Sequence, residues 1–410
     1  MGLVVGLDIG TTKVCTIVGE VRPDDIFVVG VGIEPSRGMK KGVVNDIGQL
    51  TAAISASVHK AERSSGYDIE RAFVSVAGSH IASINSRGAV AISGTRGVRL
   101  EDLDKAMEAA RAIAIPHNRE VLHVVPRSYS LDGQERVRSP IGMHGFRLEV
   151  EAHIITASST SVANLEKAVH DAGLSVDRFI LNPLAAGDAV LSEQEREMGV
   201  VVIDIGGGTT DLAIFIEGTV WHTAVIPVGG DHLTGDITHY LRVPTELAEV
   251  VKLQHGHAEP RHLSPSETFL VQPFGEGLPT EVRRYELAQV IEARVEEMFE
   301  LVLKEIKRSG YDGLLRAGAV LTGGCAQLAG IREVAADVFD FPVRVAKPER
   351  LTGMADALRH PSFSTSVGLL RLGLEMDTAA PVEAGKGNGS ESRRWGGFFG
   401  RFFKGLLPDD

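Results

Sequence analysis

The stretch VVIDIGGGTTDLA (201–213) joins two apolar runs through three glycines and two threonines, and an aspartate, Asp204, stands just before the turn. Short β-branched runs of this kind read as buried strands, and the glycines mark a tight connection between them. The same grammar occurs upstream in VVGLDIGTTK (4–13), where Asp8 lies 196 residues before Asp204. Each copy begins a succession of three strand-like runs. The first set is Leu3–Ile9, Val14–Val21 and Ile26–Ile33, and the second is Val200–Ile205, Leu212–Glu217 and Val220–Val228. A repeat at this period is too long for a solenoid. It predicts an α/β protein of two similar halves.

The remaining periodicity supports that reading. A helix is expected around Leu50, Ile54, Val58 and Ala61, and a strand over Ala72–Ala77. The second half predicts a helix at Leu233–Leu241. A long amphipathic helix follows at Glu286–Arg308, with Leu287, Val290, Ile291, Val295, Met298, Val302 and Ile306 inward. Beyond it come a strand at Ala317–Leu321, a helix near Gln327–Phe339 and a strand at Val343–Ala346. Between Ile84 and Ala157 the first half carries a segment large enough for a subdomain, with a helix at Leu103–Ala112 and strands at Val121–Val125 and Leu148–Ile155.

The two turns have the composition of phosphate cradles. Glycine lacks the Cβ that would keep a phosphate from backbone N–H groups. In the first turn Gly10 is followed by the hydroxyls of Thr11 and Thr12 and the charge of Lys13. The second offers Gly206, Gly207, Gly208, Thr209 and Thr210. Asp8 and Asp204, each at a strand end, suit Mg²⁺, which keeps several waters and takes few carboxylates. LTGGCAQ (321–327), with Gly323 and Gly324, and PVGGD (227–231), with Gly229 and Gly230, are two further places where a ligand can approach bare backbone.

Composition narrows the function classes. With 42 basic and 54 acidic residues the net charge is −12, which argues against a general nucleic-acid binder. Two cysteines, Cys15 and Cys325, cannot form a disulfide framework. No run reaches the roughly 18 apolar residues of a spanning helix, and Met1–Gly10 reads as a strand rather than a signal peptide. His255, His257 and His262 are expected in a polar loop, because no cysteine or close carboxylate pattern completes a metal site.

The C-terminus is a separate object. Residues 375–392 read as a polar linker spanning roughly 25 Å root-mean-square. In RRWGGFFGRFFKGLL (393–407), Trp395, Phe398, Phe399, Phe402, Phe403, Leu406 and Leu407 fall on one helical arc, and Arg393, Arg394, Arg401 and Lys404 fall on the other side. Five of the 22 aromatics lie within these residues, and the segment carries +4 against −16 for the remainder. Rings for the headgroup boundary and cations for anionic lipid describe an interfacial membrane helix. Its four glycines each cost about 1 kcal/mol of helix propensity, so folding is expected on the bilayer rather than in water.

With these motifs in view, the chain resembles the actin/Hsp70/sugar-kinase superfamily, and within it the FtsA family of bacterial cell-division proteins. SVAGSHI (75–81), PVGGDHLTGDI (227–237), AEVVKLQHG (248–256), VIEARVEEMFELV (290–302), LTGGCAQLAGI (321–331) and STSVGLL (364–370) carry that resemblance alongside the two hairpins. It implies an actin-like fold of two duplicated ribonuclease-H-like lobes around an ATP cleft. The first lobe would comprise 1–83, 158–197 and about 358–374, with an inserted subdomain at 84–157. The second would be 198–357, including a subdomain at about 229–310. The resemblance also implies that Glu249 and Lys252 contact ribose and base, with Gly229, Gly230, Gly323 and Gly324 on the nucleoside side. It implies self-association into an actin-like filament, binding of the C-terminal peptide of the tubulin-like protein FtsZ, contact with later division proteins, and a site at the inner face of the cell membrane. No residue stands out to orient a hydrolytic water, so ATP is expected to act mainly as a structural ligand with weak or no turnover. A PilM-like pilus-assembly scaffold would share the ATP site but leave the tail less well explained. A sugar kinase would need a catalytic aspartate in a sugar pocket.

Overall fold

The computed structural model describes residues 2–21, 26–93, 96–275, 278–349 and 351–378; the expected linker beyond Thr378 and the expected amphipathic helix at 393–407 lie outside them. In chain order the first half forms β1 (Leu3–Ile9), β2 (Lys13–Val21), β3 (Ile26–Pro35), the short β4 (Met39–Lys40) and β5 (Val43–Val44), α1 (Ile47–Ser65) and β6 (Arg71–Val76). There follow β7 (Ala82–Ala91), α2 (Leu100–Arg111), β8 (Arg119–Leu131), β9 (Gln134–Val137), β10 (Arg147–Ser158), α3 (Ser159–Asp171), β11 (Ser175–Leu181), α4 (Asn182–Val190) and α5 (Glu193–Met198). The second half contains β12 (Val200–Ile205), β13 (Thr210–Ile216), β14 (Thr219–Ile226), α6 (Gly230–Leu241), α7 (Thr245–His255), β15 (Thr268–Val271), β16 (Thr280–Arg283) and α8 (Arg284–Ser309). It closes with β17 (Ala319–Thr322), α9 (Ile331–Phe339), β18 (Val343–Val345), β19 (Thr352–Gly353) and α10 (Ser364–Thr378).

Sheet topology establishes the duplication. One sheet runs β11-β6-β1-β2-β3-β19 and the other β14-β13-β12-β17-β18. Reading β1 as β12, β2 as β13, β3 as β14, β6 as β17 and β11 as β18 superimposes the two orders. In both, an antiparallel meander is extended by parallel strands. The central strands are apolar at nearly every position because both sheet faces are covered. Glycines set the closest approaches. A Cβ at Gly368 of α10 would lie 1.8 Å from the Ala185 carbonyl oxygen, so α10 crosses α4 with the backbones in contact.

The inserted sheet has the order β7-β10-β8-β9 and is covered by α2. Gly88 lets the helix lie against β7, since a Cβ there would come within 2.1 Å of the Ala106 carbonyl. The predicted strands prove longer than the apolar runs alone suggested, and β7 escaped the sequence reading because its positions are mostly exposed. This sheet meets the second lobe along β14. His153 on β10 is fully enclosed; its Nδ1 donates to Asn85 Oδ1 at 2.7 Å, and the Thr223 hydroxyl donates to Nε2 at 3.0 Å. Nearby, the Arg127 guanidinium lies 4.5 Å from the Trp221 ring centre.

Three expectations shift. The long helix buries Ala288 and Phe299 with the predicted residues, while Val290 is only half-buried. The predicted helix near 327–339 divides into a 3₁₀ turn at Gly324–Gln327 and α9, because Gly330 at φ 81° begins a new helix. Finally, α10 continues to Thr378, into the start of the expected linker.

Candidate functional site

Identical register places the two hairpins in equivalent positions. In the first, Ile9 pairs with Val14 around the loop Gly10–Lys13, closed by a bond from the Gly10 N–H to the Lys13 carbonyl at 3.0 Å. In the second, Ile205 pairs with Thr210 around Gly206–Thr209, closed by Gly206 N–H to the Thr209 carbonyl at 2.9 Å. The loops face one another. A Cβ at Gly207 would lie 2.3 Å from Thr12 Oγ1, and one at Gly208 would lie 2.7 Å from Thr11 Oγ1. Bare backbone of one lobe therefore meets hydroxyls of the other, the arrangement needed to grip a phosphate chain from both sides.

The second loop is held from behind by α6. The N–H groups of Gly230 and Asp231 donate to the carbonyls of Gly206 and Gly207 at 2.9 and 2.8 Å. Gly229 sits in the crook, where a Cβ would stand 2.6 Å from both carbonyl oxygens. With those carbonyls occupied, the loop conformation is fixed before any ligand arrives. Thr209 and Thr210 have other tasks. Thr209 Oγ1 donates to Asp211 Oδ2 at 3.0 Å, and the wholly buried Thr210 donates to the Val228 carbonyl at 2.8 Å.

Asp8 and Asp204 are both buried and both held by α10. Ser366 Oγ donates to Asp8 Oδ2 at 2.6 Å, and Thr365 Oγ1 donates to Asp204 Oδ2 at 2.7 Å. Burial pushes the Asp204 carboxyl up to about 6, opposed by the Thr365 hydrogen bond and reinforced by the charge of Asp8. Asp211, paired with Asp204 across the hairpin, is driven well above the usual carboxylate range by burial and then by Asp204. Among the described residues its buried Oδ1 has no hydrogen-bond partner. Cys15 holds the equivalent place in the first hairpin, and burial pushes its thiol up to about 12.

This cluster fits a hydrated Mg²⁺. Among the described residues no three His, Cys, Asp or Glu side chains are grouped to bind a metal directly. A magnesium ion that keeps most of its water needs only one or two carboxylates, which Asp8 and Asp204 could supply. Lys13 Nζ donates to the Ser362 carbonyl and lies 4.6 Å from the centre of the Phe363 ring, a cation–π placement.

On the opposite side of α6, Glu249 and Lys252 come together as their spacing predicts. Lys252 Nζ is 2.7 Å from Glu249 Oε2 and donates to Thr234 Oγ1 at 2.8 Å and to the Gly230 carbonyl at 3.1 Å. A Cβ on Gly230 would approach Lys252 Nζ at 3.5 Å and Cys325 at 3.6 Å, so the loop following β17 closes this end. Gly323, at φ 87°, touches the other end. A side chain there would collide with Asp204 Oδ1 at 2.3 Å. The expected residues thus lie close together: the two hairpins, the acids and α10 on one side, with Gly323 against Asp204, and α6 with Glu249 and Lys252 of α7 on the other.

Sequence reasoning missed Thr365, Ser366 and Asp211. The first two lay inside a quoted motif, but their targets are 161 and 358 residues away. Asp211 was legible only through the register that sets it opposite Asp204. Of the histidines, His255 stacks on Phe269 at 4.4 Å, and His257 Nδ1 accepts from the Glu259 N–H at 3.0 Å.

A family profile described as Cell division protein FtsA matches residues 201–368, and one described as the SHS2 domain inserted in FTSA matches residues 78–156. The chain is 46% identical over 374 residues to the Cell division protein FtsA of Pseudomonas aeruginosa, covering 91% of this chain and 89% of that protein. Identity to the protein of the same name from Escherichia coli K12 is 39%, over 94% of this chain and 93% of the other. Among solved structures, the PilM-PilN type IV pilus biogenesis complex matches with a TM-score of 0.66 at 17% identity, over 91% of this chain and 98% of that one. MreB5 of Spiroplasma citri bound to ADP matches with a TM-score of 0.56 at 16% identity, over 90% and 95%. At these identities the two structures speak to the actin-like fold.

Proposed function

The chain belongs to the FtsA family of bacterial cell-division proteins, and from that premise we propose that it is an ATP-binding membrane anchor for FtsZ filaments. The observation that carries the nucleotide part is the meeting of the hairpins, with Gly207 and Gly208 against Thr12 and Thr11. Gly10–Lys13 and Gly206–Gly208 embrace the phosphates, and Asp8 and Asp204 hold the hydration shell of Mg²⁺, whose charge offsets that of the phosphates. Gly229, Gly230, Glu249, Lys252, Gly323 and Gly324 receive the nucleoside. ATP works here as a structural bridge. A ligand present at 100 times its Kd stabilises the state it binds by about 2.7 kcal/mol, and here that state is the closed pair of lobes.

The closed body then assembles with copies of itself at the inner face of the cell membrane, and the segment 393–407 lays its aromatic face into anionic lipid. The C-terminal peptide of FtsZ docks on the subdomain around α8. That region exposes Leu253 and Phe274, 74% and 66% accessible, apolar surface that invites a partner. The inserted subdomain serves self-association and contact with later division proteins.

Recruitment of FtsZ to anionic liposomes tests the reading. The full chain with ATP and Mg²⁺ is expected to carry FtsZ into the vesicle pellet, and a chain ending at residue 392 is expected to leave it in the supernatant. Equal pelleting of the truncated chain would refute the anchor. FtsZ recruitment unchanged by ATP, in a protein that takes up no nucleotide, would refute the cleft assignment.

A further inference from the structure

A third turn meets the two phosphate hairpins, and no reading of the sequence assigned it a role. β4 and β5 pair with Met39 opposite Val44 and Lys40 opposite Val43, which leaves a connection of only two residues, Lys41-Gly42. Both take positive φ, 51° and 72°. Two-residue hairpins with left-handed central residues favour Asn-Gly or Asp-Gly, because asparagine and aspartate tolerate that conformation and lysine does so poorly. A lysine at this tip is the wrong residue for the turn alone.

The tip is wedged where the two lobes meet. The Gly42 N–H approaches Thr11 Oγ1 at 3.4 Å, which ties the turn to the first hairpin. A Cβ at Gly208 would lie 2.9 Å from Lys41 Cα and 3.0 Å from its nitrogen, so the same residue abuts the second hairpin. From behind, Gly42 rests on Gly78, with a Cβ-to-Cα approach of 2.7 Å that admits only glycine. Lys41 is exposed and forms no ion pair among the described residues. The site's two other lysines are engaged: Lys13 with the Ser362 carbonyl and the Phe363 ring, and Lys252 with Glu249, Thr234 and the Gly230 carbonyl. The buried carboxyls Asp8 and Asp204 meanwhile lie at the base of this junction, held by Ser366 and Thr365. A polyphosphate entering it brings negative charge, and Lys41, which forms no ion pair among the described residues, abuts both hairpins at that point.

We propose that Lys41 is a ligand of the outermost phosphate of a nucleoside triphosphate. In this role it makes the cleft prefer the triphosphate to the diphosphate. The inference deepens the ATP-binding reading above and rests on it.

The test compares ATP and ADP dissociation constants, with Mg²⁺, for the full chain and two variants by isothermal titration. Lys41→Asn removes the charge while installing the residue the turn prefers, so the nucleotide-free protein is expected to melt no lower than the parent. ATP is expected to bind about tenfold more weakly, the weight of one charge-assisted contact, with ADP changed by less than about twofold. Lys41→Arg, which keeps the charge, is expected to preserve the preference for ATP. An unchanged ATP-to-ADP ratio in Lys41→Asn, or an equal loss of both ligands, would overturn the proposal and leave the tip a packing role. If the parent chain bound neither nucleotide, the ATP-binding reading itself would fall, an outcome separable from failure of Lys41 alone.

Discussion

Where the two glycine-rich hairpins meet, glycines leave no room for a Cβ and the nearest polar groups are carboxylates and hydroxyls. Where the inserted sheet meets β14, the contact is filled by large side chains: His153 between Asn85 and Thr223, and Arg127 over Trp221. Both seams join the first half of the chain to the second. One is built of backbone surfaces and raised carboxyl pKa values, so under the proposed nucleotide reading it gains by taking up a cation-bearing ligand. The other holds a neutral imidazole whose two nitrogens are already satisfied, so it has nothing to gain from a ligand. The difference separates a seam built to receive from a seam built to hold. The inserted subdomain thus contacts the second lobe directly, through His153, Ser83 and Arg127 against β14.

The comparison is tested most severely at Gly229. Its substitution by alanine would press a methyl group against two backbone carbonyls at 2.6 Å, and backbone cannot swing aside as a side chain can. Gly229→Ala is expected to weaken ATP binding by at least about 100-fold and to cost about 3 kcal/mol in urea denaturation, as overpacking does. Gly10→Ala is the internal control, since its nearest obstacle is the Lys13 carbonyl at 3.1 Å. Equal losses in the two variants would mean that the hairpins are interchangeable and that the brace from α6 is irrelevant.

The holding seam is expected to respond to acid. Burial holds the His153 imidazole down at about 3, reinforced by the charges of His222 and Arg127. Its folded pKa therefore lies below that of the unfolded chain, about 6.5. The stability it confers is complete above 6.5 and is lost as pH falls toward 3. Between pH 7 and pH 5 that loss is about 2 kcal/mol. His153→Ala is expected to cost about 2 kcal/mol at pH 7, to flatten this part of the pH dependence, and to leave ATP affinity within about twofold. His123, held at about 3 by burial as well, should retain a similar slope in the variant. A pH profile unaltered by His153→Ala would contradict the enclosed-imidazole account, and a large loss of ATP affinity would show that the seams are coupled.

Much of the receiving seam was legible in the sequence, because its signals are local. Glycine, threonine and a strand-end aspartate within six residues specify the turn, and duplication supplied the equivalent placing of Asp8 and Asp204. The holding seam was not legible. β7 alternates and is mostly exposed, so its apolar signal is faint, and His153, Asn85 and Thr223 are ordinary residues until three distant segments bring them together. Thr210 shows the opposite error. It has phosphate-binding composition, but its place inside β13 commits its hydroxyl to Val228. Local pattern identifies which turns can bind; only tertiary register decides which side chains face the ligand.

The smallest effect is expected where the two halves share one helix. Thr365 and Ser366 are neighbours on α10, yet they hold carboxylates from different lobes, Asp204 and Asp8. Each hydroxyl satisfies one buried oxygen, so Thr365→Val and Ser366→Ala should each cost about 1 kcal/mol in nucleotide-free protein, with additivity if the two carboxylates act independently. Both variants should also need more Mg²⁺ to retain ATP, since an unpinned carboxylate samples orientations unsuited to the hydrated ion. Mg²⁺ titrations at fixed ATP, alongside urea midpoints, separate these effects. A shift in the Mg²⁺ requirement for only one variant would mean that one lobe dominates the metal. Non-additive stability losses would mean that α10 couples the carboxylates, and the receiving seam would then be a single cooperative unit hinged on that helix rather than two facing halves.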